Sequence, residues 1–544
     1  MNQAQQVSLK DADHFDYVIV GSGAAGAILA NRLSAQGASV CVLEAGPPDH
    51  SPWVHIPAGF IKAVFNDKYA WQFSSEPTDL TNGRRIPIPQ GRTLGGSTSI
   101  NGLVYNRGQA ADYDHWAALG NPGWSYQDVL PYFKSMERRA GGDDRFRGRN
   151  GELPVTDIDW IHPICEAFLA GAEEQGLPRN PDYNGANQAG AGYFQRTINR
   201  GWRMSTARCF LRPAMSRKNL TVRTYAQATQ VLFEGKRAVG VSYCDPRHPN
   251  AHRSVRADRE VIISSGAINT PKLLQLSGLG PAAFLNEMGI PVVHDLPGVG
   301  ENLSDHYSVR VVARVKNSQT MNEMVKGLSL LGQISRWLLK KPSIMALSPS
   351  LVHYFWKSLP DLDLPDLQGV FTPASYKEGY VGLLDDFPGM TAGVWQHRPE
   401  SRGQVRVSSS DPFAAPTINA NYLNHPNDQA TLIRGIRLAR RLLQSQALAP
   451  YYDSETLPGP MCDSDSELLD FARRYGVSSY HVNGTARMGP ESDPHAVVDA
   501  QLRVRGVQNL RVADSSVMPA MPSANICAAT MMIGNKAADL IKQS

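Results

Sequence analysis

Three clusters in this 544-residue sequence combine residue types and spacings that can do chemistry. The first is Tyr480-His481-Val482-Asn483-Gly484-Thr485, followed 44 residues after the histidine by Asn525 in MPSANICAATMMIG. An imidazole, with an ordinary pKa near 6.5, is well matched to taking a proton at neutral pH. An amide placed opposite it can hold an oxygen atom without competing for that proton. On its own, one histidine among 14 reads more readily as structural than catalytic.

The second cluster is Gly21-Ser22-Gly23-Ala24-Ala25-Gly26, between an apolar run and a helical pattern, with Glu44 18 residues beyond Gly26. Gly21 permits a sharp turn, Gly23 lets backbone approach a pyrophosphate, and Gly26 lets helix and strand pack closely. A carboxylate at Glu44 can accept from ribose hydroxyls. In this context the glycines point to a dinucleotide, without separating FAD from NAD. The third cluster is Gly91-Arg92-Thr93-Leu94-Gly95-Gly96-Ser97-Thr98-Ser99-Ile100-Asn101-Gly102, whose backbone can lie flat against a planar ligand and donate N–H bonds. Alone it reads as a glycine loop with a helix cap.

The elements that must position these groups follow from periodicity. Phe15 to Val20 and Ala38 to Leu43 are buried-strand patterns flanking the helical AAGAILANRLSAQG. Residues from about 50 to 200 read mostly as loops and short helices. Strands return in NLTVRTYAQATQVLFEGKRAVGVSYCD, with turns at Glu234-Gly235 and near Pro246, and residues 255 to 280 repeat the strand–turn–helix logic. From about 311 to 480 the chain is more aromatic and less punctuated by glycine, which marks a second domain. The last 65 residues regain the glycine-rich, apolar character of the first part.

Bulk composition narrows the options. The length suggests two or three domains, and the net charge of +4, without a long basic tract, speaks against nucleic acid as a partner. Six scattered cysteines without a C-x-x-C pair suit a reducing cytoplasm rather than a disulfide or zinc scaffold. His248 and His252 have i, i+4 spacing but fall in a Pro/Asn turn, so no metal site is expected. No signal peptide, spanning segment or G-x-S-x-G elbow is recognised.

GRTLGGSTSINGLVYNRGQAADYD resembles the first signature of the glucose–methanol–choline (GMC) oxidoreductase family. GAINTPKLLQLSGLG resembles its second, and PESRGQVRVSSSDPFAAPTINANYL the start of its C-terminal domain. The run of motifs is most similar to the choline dehydrogenase-like and alcohol dehydrogenase branch. The resemblance implies FAD, with Arg92, Gly95, Gly96 and Asn101 beside the flavin and pyrophosphate. It places the Ala228 backbone near the adenine, Asp514 near the ribityl chain, and Ile526 among the backbone contacts to the flavin. Members with a histidine at the position of Ile100 bond it covalently to the flavin; isoleucine cannot, so non-covalent FAD is expected.

The expected fold is α/β (α+β overall): a Rossmann-type FAD-binding domain, residues 14–310 completed by 480–544, and a mainly antiparallel-sheet substrate domain, residues 311–479, with the family's C-terminal part starting near 395. The activity implied is oxidation of a primary alcohol to the aldehyde. His481 takes the hydroxyl proton, flavin N5 the hydride, and Asn525 orients the oxygen, with electrons passing to a quinone, dye or O₂. A non-O₂ acceptor is the first choice. Oxidase, hydroxynitrile-type lyase, choline dehydrogenase and non-catalytic flavin carrier are the alternatives; no carboxylate suited to a quaternary ammonium is evident.

Two features stand apart. Cys527 and Ala529 replace the Asn and Pro that many relatives carry after the Asn525 position. Residues 325–341, VKGLSLLGQISRWLLKK, have apolar residues at 328, 331, 334 and 338 between basic flanks. A helix packed on the substrate domain or covering the cavity is the first reading, and a membrane-surface helix the second. A cytoplasmic protein, with peripheral inner-membrane association as the variant, follows; the sequence leaves the oligomeric state open.

Overall fold

The structure is a computed structural model that describes residues 12–377 and 382–543. It is built on two seven-stranded sheets. In the first, Leu220–Arg223, Val40–Leu43, Asp13–Val20 and Arg253–Ile263 run parallel in that order, and Leu510–Val512 pairs parallel with the end of Arg253–Ile263. Strands Arg237–Cys244 and Gln227–Glu234 extend it as an antiparallel hairpin. Val40–Leu43 and the second half of Asp13–Val20 are buried throughout. That burial explains their unbroken apolar runs, as strands covered on both faces have no polar side.

The second sheet is antiparallel in every pairing, in the order Tyr452–Leu457, Tyr307–Val315, Gly389–Gln396, Leu367–Thr372, Val352–Trp356 and Gly190–Tyr193. Val477–Ser478 also pairs with Tyr307–Val315. One face is covered by the helix Pro426–Leu443, whose Leu432, Ile436 and Leu443 are buried. The other face turns toward the nucleotide-type sheet. The expected boundary at residue 310 therefore falls inside a strand: Tyr307–Val315 belongs wholly to the antiparallel sheet.

Residues 325–341 form the helix Gly327–Leu338. None of its residues is buried, and Leu328, Leu331 and Leu338 are 86%, 59% and 66% exposed. The helix is tied down on its other side, where the Trp337 indole N–H donates to the Gly201 carbonyl at 2.9 Å and the ring meets Trp202 edge-on.

Candidate active site

One long cavity runs between the two sheets, lined by Gly21, Gly23, Glu44, Gly96, Asn101, Ala228, Asp514, His481, Asn525 and Ile526. Thus ten of the residues singled out from sequence face the same space. Gly26, Gly95 and Arg92 stand behind its wall. Gly21 has φ +98°, and a Cβ on Gly26 would come within 2.0 Å of the Gly21 carbonyl oxygen. The turn therefore closes only with glycine at both positions. Gly23 and Gly96 lie back to back, since a Cβ on Gly96 would meet Gly23 Cα at 2.8 Å. The two glycine segments thus form one smooth backbone surface at the start of the helix Gly26–Ser34, a cradle suited to a pyrophosphate.

Both acidic residues at this end are braced by backbone. Glu44 accepts from the Ser22 N–H and hydroxyl through one oxygen and from the Gly46 N–H through the other. Burial raises its pKa. Asp514 accepts from the Gly266 N–H at 2.9 Å and the Thr270 hydroxyl at 2.6 Å, and from the Ser516 N–H at 2.8 Å. It thereby fixes the second glycine turn, where Gly266 has φ +82°. Arg92 stacks over the Trp71 ring, 4.3 Å from its centroid, rather than reaching the cavity. Asn101 accepts from the Leu103 N–H and from Arg203, and its amide N–H reaches Cys527 Sγ at 3.5 Å. Burial beside Asn101 pushes the Cys527 thiol up to about 12, which marks it as a packing group and not a thiolate.

His481 and Asn525 meet where this cavity reaches the antiparallel sheet: Asn525 Nδ2 lies 3.1 Å from His481 Nε2. The amide is oriented by Gln368, which donates to Asn525 Oδ1 at 2.9 Å, so its N–H points at the ring. Behind His481, its Nδ1 lies 2.9 Å from His306 Nδ1, and His306 Nε2 lies 2.7 Å from the His397 carbonyl. A carbonyl can only accept, so His306 carries its proton on Nε2. Burial pulls the His306 pKa down to about 4, so the ring is neutral and its Nδ1 is a lone pair. His481 must then donate from Nδ1, which leaves Nε2 bare toward Asn525 and the cavity. The same burial, with His306 beside it, holds the His481 pKa well below the ordinary imidazole value.

Asp305 clamps the loop itself. Its carboxylate accepts from the His481 backbone N–H at 2.8 Å and from the Tyr422 and Ser478 hydroxyls. Burial lifts its pKa to about 6. The clamp holds Tyr480 at φ +64°, an unfavourable region for a side chain of this size. Asp305, His306, Gln368 and Trp395, whose ring centroid is 6.2 Å from that of His481, were missed from sequence. Only the Asp305-His306 dipeptide ahead of Tyr307–Val315 offered a signal.

Residues 15–308 match the sequence pattern of the GMC oxidoreductase N-terminal part, and residues 399–534 that of its C-terminal part. The chain belongs to the GMC oxidoreductase family. This GMC oxidoreductase is 40% identical over 532 residues to an oxygen-dependent choline dehydrogenase of Photobacterium profundum, covering 97% of this chain and 93% of that protein. It is 39% identical over 533 residues to an alcohol dehydrogenase [acceptor] of Pseudomonas putida, covering 97% and 95%. Among solved structures it resembles pyridoxine 4-oxidase from Mesorbium loti, at a TM-score of 0.88 and 28% identity over 97% of this chain and 99% of that one. It also resembles an Aspergillus oryzae formate oxidase studied for FAD modification, at 0.89 and 27% over 98% and 99%. Among the described residues, no helix is long and apolar enough to cross a membrane.

Proposed function

We propose that this GMC oxidoreductase holds FAD non-covalently and oxidises a primary alcohol to the aldehyde, with a quinone or another acceptor than O₂ taking the electrons. The observation that carries this reading is the bare Nε2 of His481 set 3.1 Å from the Asn525 amide at the inner end of a dinucleotide-type cavity. The FAD-binding part is assembled from residues 14–306, apart from the strand Gly190–Tyr193, and from 480–544, and the antiparallel sheet, to which that strand belongs, forms the substrate side. Gly21, Gly23, Gly96, Asn101, Ala228 and Ile526 would hold the cofactor, with Glu44 and Asp514 bracing the two turns. Ile100 is buried hydrocarbon in the same wall, which supports non-covalent attachment.

When bound, the flavin supplies the two-electron acceptor for the carbinol hydride. The protein does the rest. Asn525 donates its N–H to the alcohol oxygen, and His481 Nε2 accepts the hydroxyl proton as the carbon–hydrogen bond breaks. The imidazolium formed keeps its Nδ1–H on His306, a bond that strengthens as charge develops. Trp395 and the sheet exclude water around the pair.

An anaerobic panel of alcohols monitored by flavin absorbance tests the reading. Bleaching by primary alcohols, followed by reoxidation with a quinone but slowly with O₂, is expected. No bleaching by any alcohol would point to the lyase alternative, and peroxide release to an oxidase. Flavin remaining on the denatured polypeptide would refute non-covalent binding.

We also infer that the Gly327–Leu338 helix rests on an anionic membrane surface. Its exposed Leu328, Leu331 and Leu338, with Leu339 just past its end, lie in a segment that also carries Lys326, Arg336, Lys340 and Lys341. Leucines suit the interfacial region, and the basic residues complement acidic headgroups. Flotation with phosphatidylglycerol vesicles should carry the holoenzyme, and Leu328→Ser/Leu331→Ser should abolish this with flavin content unchanged. Equal flotation of both proteins would remove the proposal.

A further inference from the structure

Among the described residues, Arg203 is a buried cation that no carboxylate pairs with. It follows the turn Arg200-Gly201, where both residues have positive φ, in the hairpin that pairs Trp202–Arg203 with Ile198–Asn199. Side chains alternate across a strand, so Trp202 lies outward at 37% exposure while Arg203 turns inward and is 1% exposed. Its Nη1 donates to Asn101 Oδ1 at 2.8 Å and to the Thr98 carbonyl at 3.2 Å. Nε and Nη2 are buried and find no hydrogen-bond partner among the described residues. The titratable neighbour that acts on the guanidinium is the Cys527 thiol, which burial keeps neutral. Burial draws Arg203 itself down to about 9, which leaves it charged at neutral pH.

The groups that Arg203 touches form the cavity wall at its reactive end. Thr98, Asn101 and Cys527 all line that space, Asn101 reaches Cys527 Sγ, and Cys527 stands two residues from Asn525. The helix Cys527–Lys542 starts in the same wall, and its first turn holds no acidic residue to offset the positive helix end. Among the described residues, the cavity-lining carboxylates are Glu44 and Asp514, each engaged by glycine-turn N–H groups rather than by this wall. A buried, unpaired charge is destabilising, and an apolar side chain of similar volume would cost less. Negative charge arriving on the cavity side reverses that balance. Alcohol oxidation supplies it: when the hydroxyl proton stays on His481 and the hydride goes to the cofactor, one negative charge is delivered into the cavity.

We propose that Arg203 is the buried counter-charge for the reduced flavin, raising the cofactor's two-electron potential through the wall formed by Thr98, Asn101 and Cys527. The proposal rests on the FAD-dependent alcohol oxidation above and assigns a further residue to it. Arg203 gives up no proton and meets no substrate. The carbinol carbon loses two electrons with its hydrogen, the flavin gains them, and the proton on His481 completes the balance. The bonds to Asn101 and Thr98 hold the guanidinium in place, so its field is set before any charge develops.

The test uses flavin-loaded wild type, Arg203→Lys, Arg203→Gln and Arg203→Met. The midpoint potential is read by equilibration against a reference dye, and sulfite affinity by bleaching of the visible flavin band. Sulfite adds to oxidised flavin and leaves a negative charge on the ring, so it probes the counter-charge without substrate. The wild-type potential should exceed that of free FAD. Arg203→Gln and Arg203→Met should bind sulfite at least tenfold more weakly and lower the potential by about 30 mV or more, the two-electron equivalent of that factor. Arg203→Lys should stay within threefold of wild type. Glutamine keeps an N–H donor for Asn101 and loses only the charge. Arg203→Gln at the wild-type potential, or Arg203→Lys falling as far as Arg203→Met, would therefore overturn the proposal. A wild-type potential no higher than that of free FAD would overturn it even where the neutral variants fail to load flavin. Charge-dependent potentials without flavin reduction by any alcohol would instead uphold the counter-charge and overturn the underlying activity.

Discussion

Replacing His306 should slow the proton-coupled step without touching substrate or cofactor. The His397 carbonyl, His306 and His481 form a chain in which each hydrogen bond dictates the next, ending in a bare His481 Nε2. His306→Leu removes the acceptor at 2.9 Å and leaves the His481 Nδ1–H buried and unsatisfied. Such a loss costs about 1–3 kcal/mol. It falls on the reactive tautomer and grows as His481 becomes cationic. At about 1.4 kcal/mol per tenfold, the rate of flavin reduction should drop between roughly 5- and 150-fold. His306→Asn places an amide oxygen near the lost Nδ1 and should regain most of that loss. Stopped-flow anaerobic reduction with a saturating alcohol separates this from binding, since the apparent substrate affinity should change little. Reduction by His306→Leu at the wild-type rate, or His306→Asn as slow as His306→Leu, would refute the tautomer argument.

His481→Ala should reduce turnover by orders of magnitude with flavin content unchanged, measured by absorbance ratio and steady-state rate. Gly26→Ala should abolish cofactor loading, read as loss of visible flavin absorbance, because its methyl would sit 2.0 Å from the Gly21 oxygen. Stability should fall on acidification below pH 6.5. Unfolded histidine takes a proton near 6.5, whereas folded His306 resists until about 4 and His353 until about 3, both through burial. The unfolded state therefore binds more protons in this window, and His306 alone should forfeit about 3 kcal/mol between pH 6.5 and 4. Urea unfolding of the flavin-loaded protein at pH 7.5 and 5 measures this; equal stability at both would count against neutral buried imidazoles.

What could be read from sequence was local. The glycine turn, Glu44 and the flanking strands lie within one continuous segment, and steric rules for glycine fix their geometry. His481 and Asn525 stood out through motif resemblance. Their supports did not: Asp305 and His306 are more than 170 residues earlier in the chain, and Gln368 and Trp395 lie on alternating strands whose inward face periodicity alone cannot assign. For residues 325–341 the helical period was legible, but which face met the protein depended on Trp337 finding Gly201.

Leu510–Val512, paired with the end of Arg253–Ile263, has a consequence for how the chain is made. At a synthesis rate of about 5–20 residues per second, the Arg253–Ile263 strand waits roughly 10–50 s for its neighbour to emerge. During that interval the Val261–Ile263 edge of a parallel sheet offers unpaired N–H and C=O groups to any passing strand. Nascent chains of this protein thus depend on something to cover that edge, and overexpression faster than chaperone supply should divert them to aggregates. Slower induction or lower temperature would raise the flavin-loaded yield by acting on this one unfinished seam.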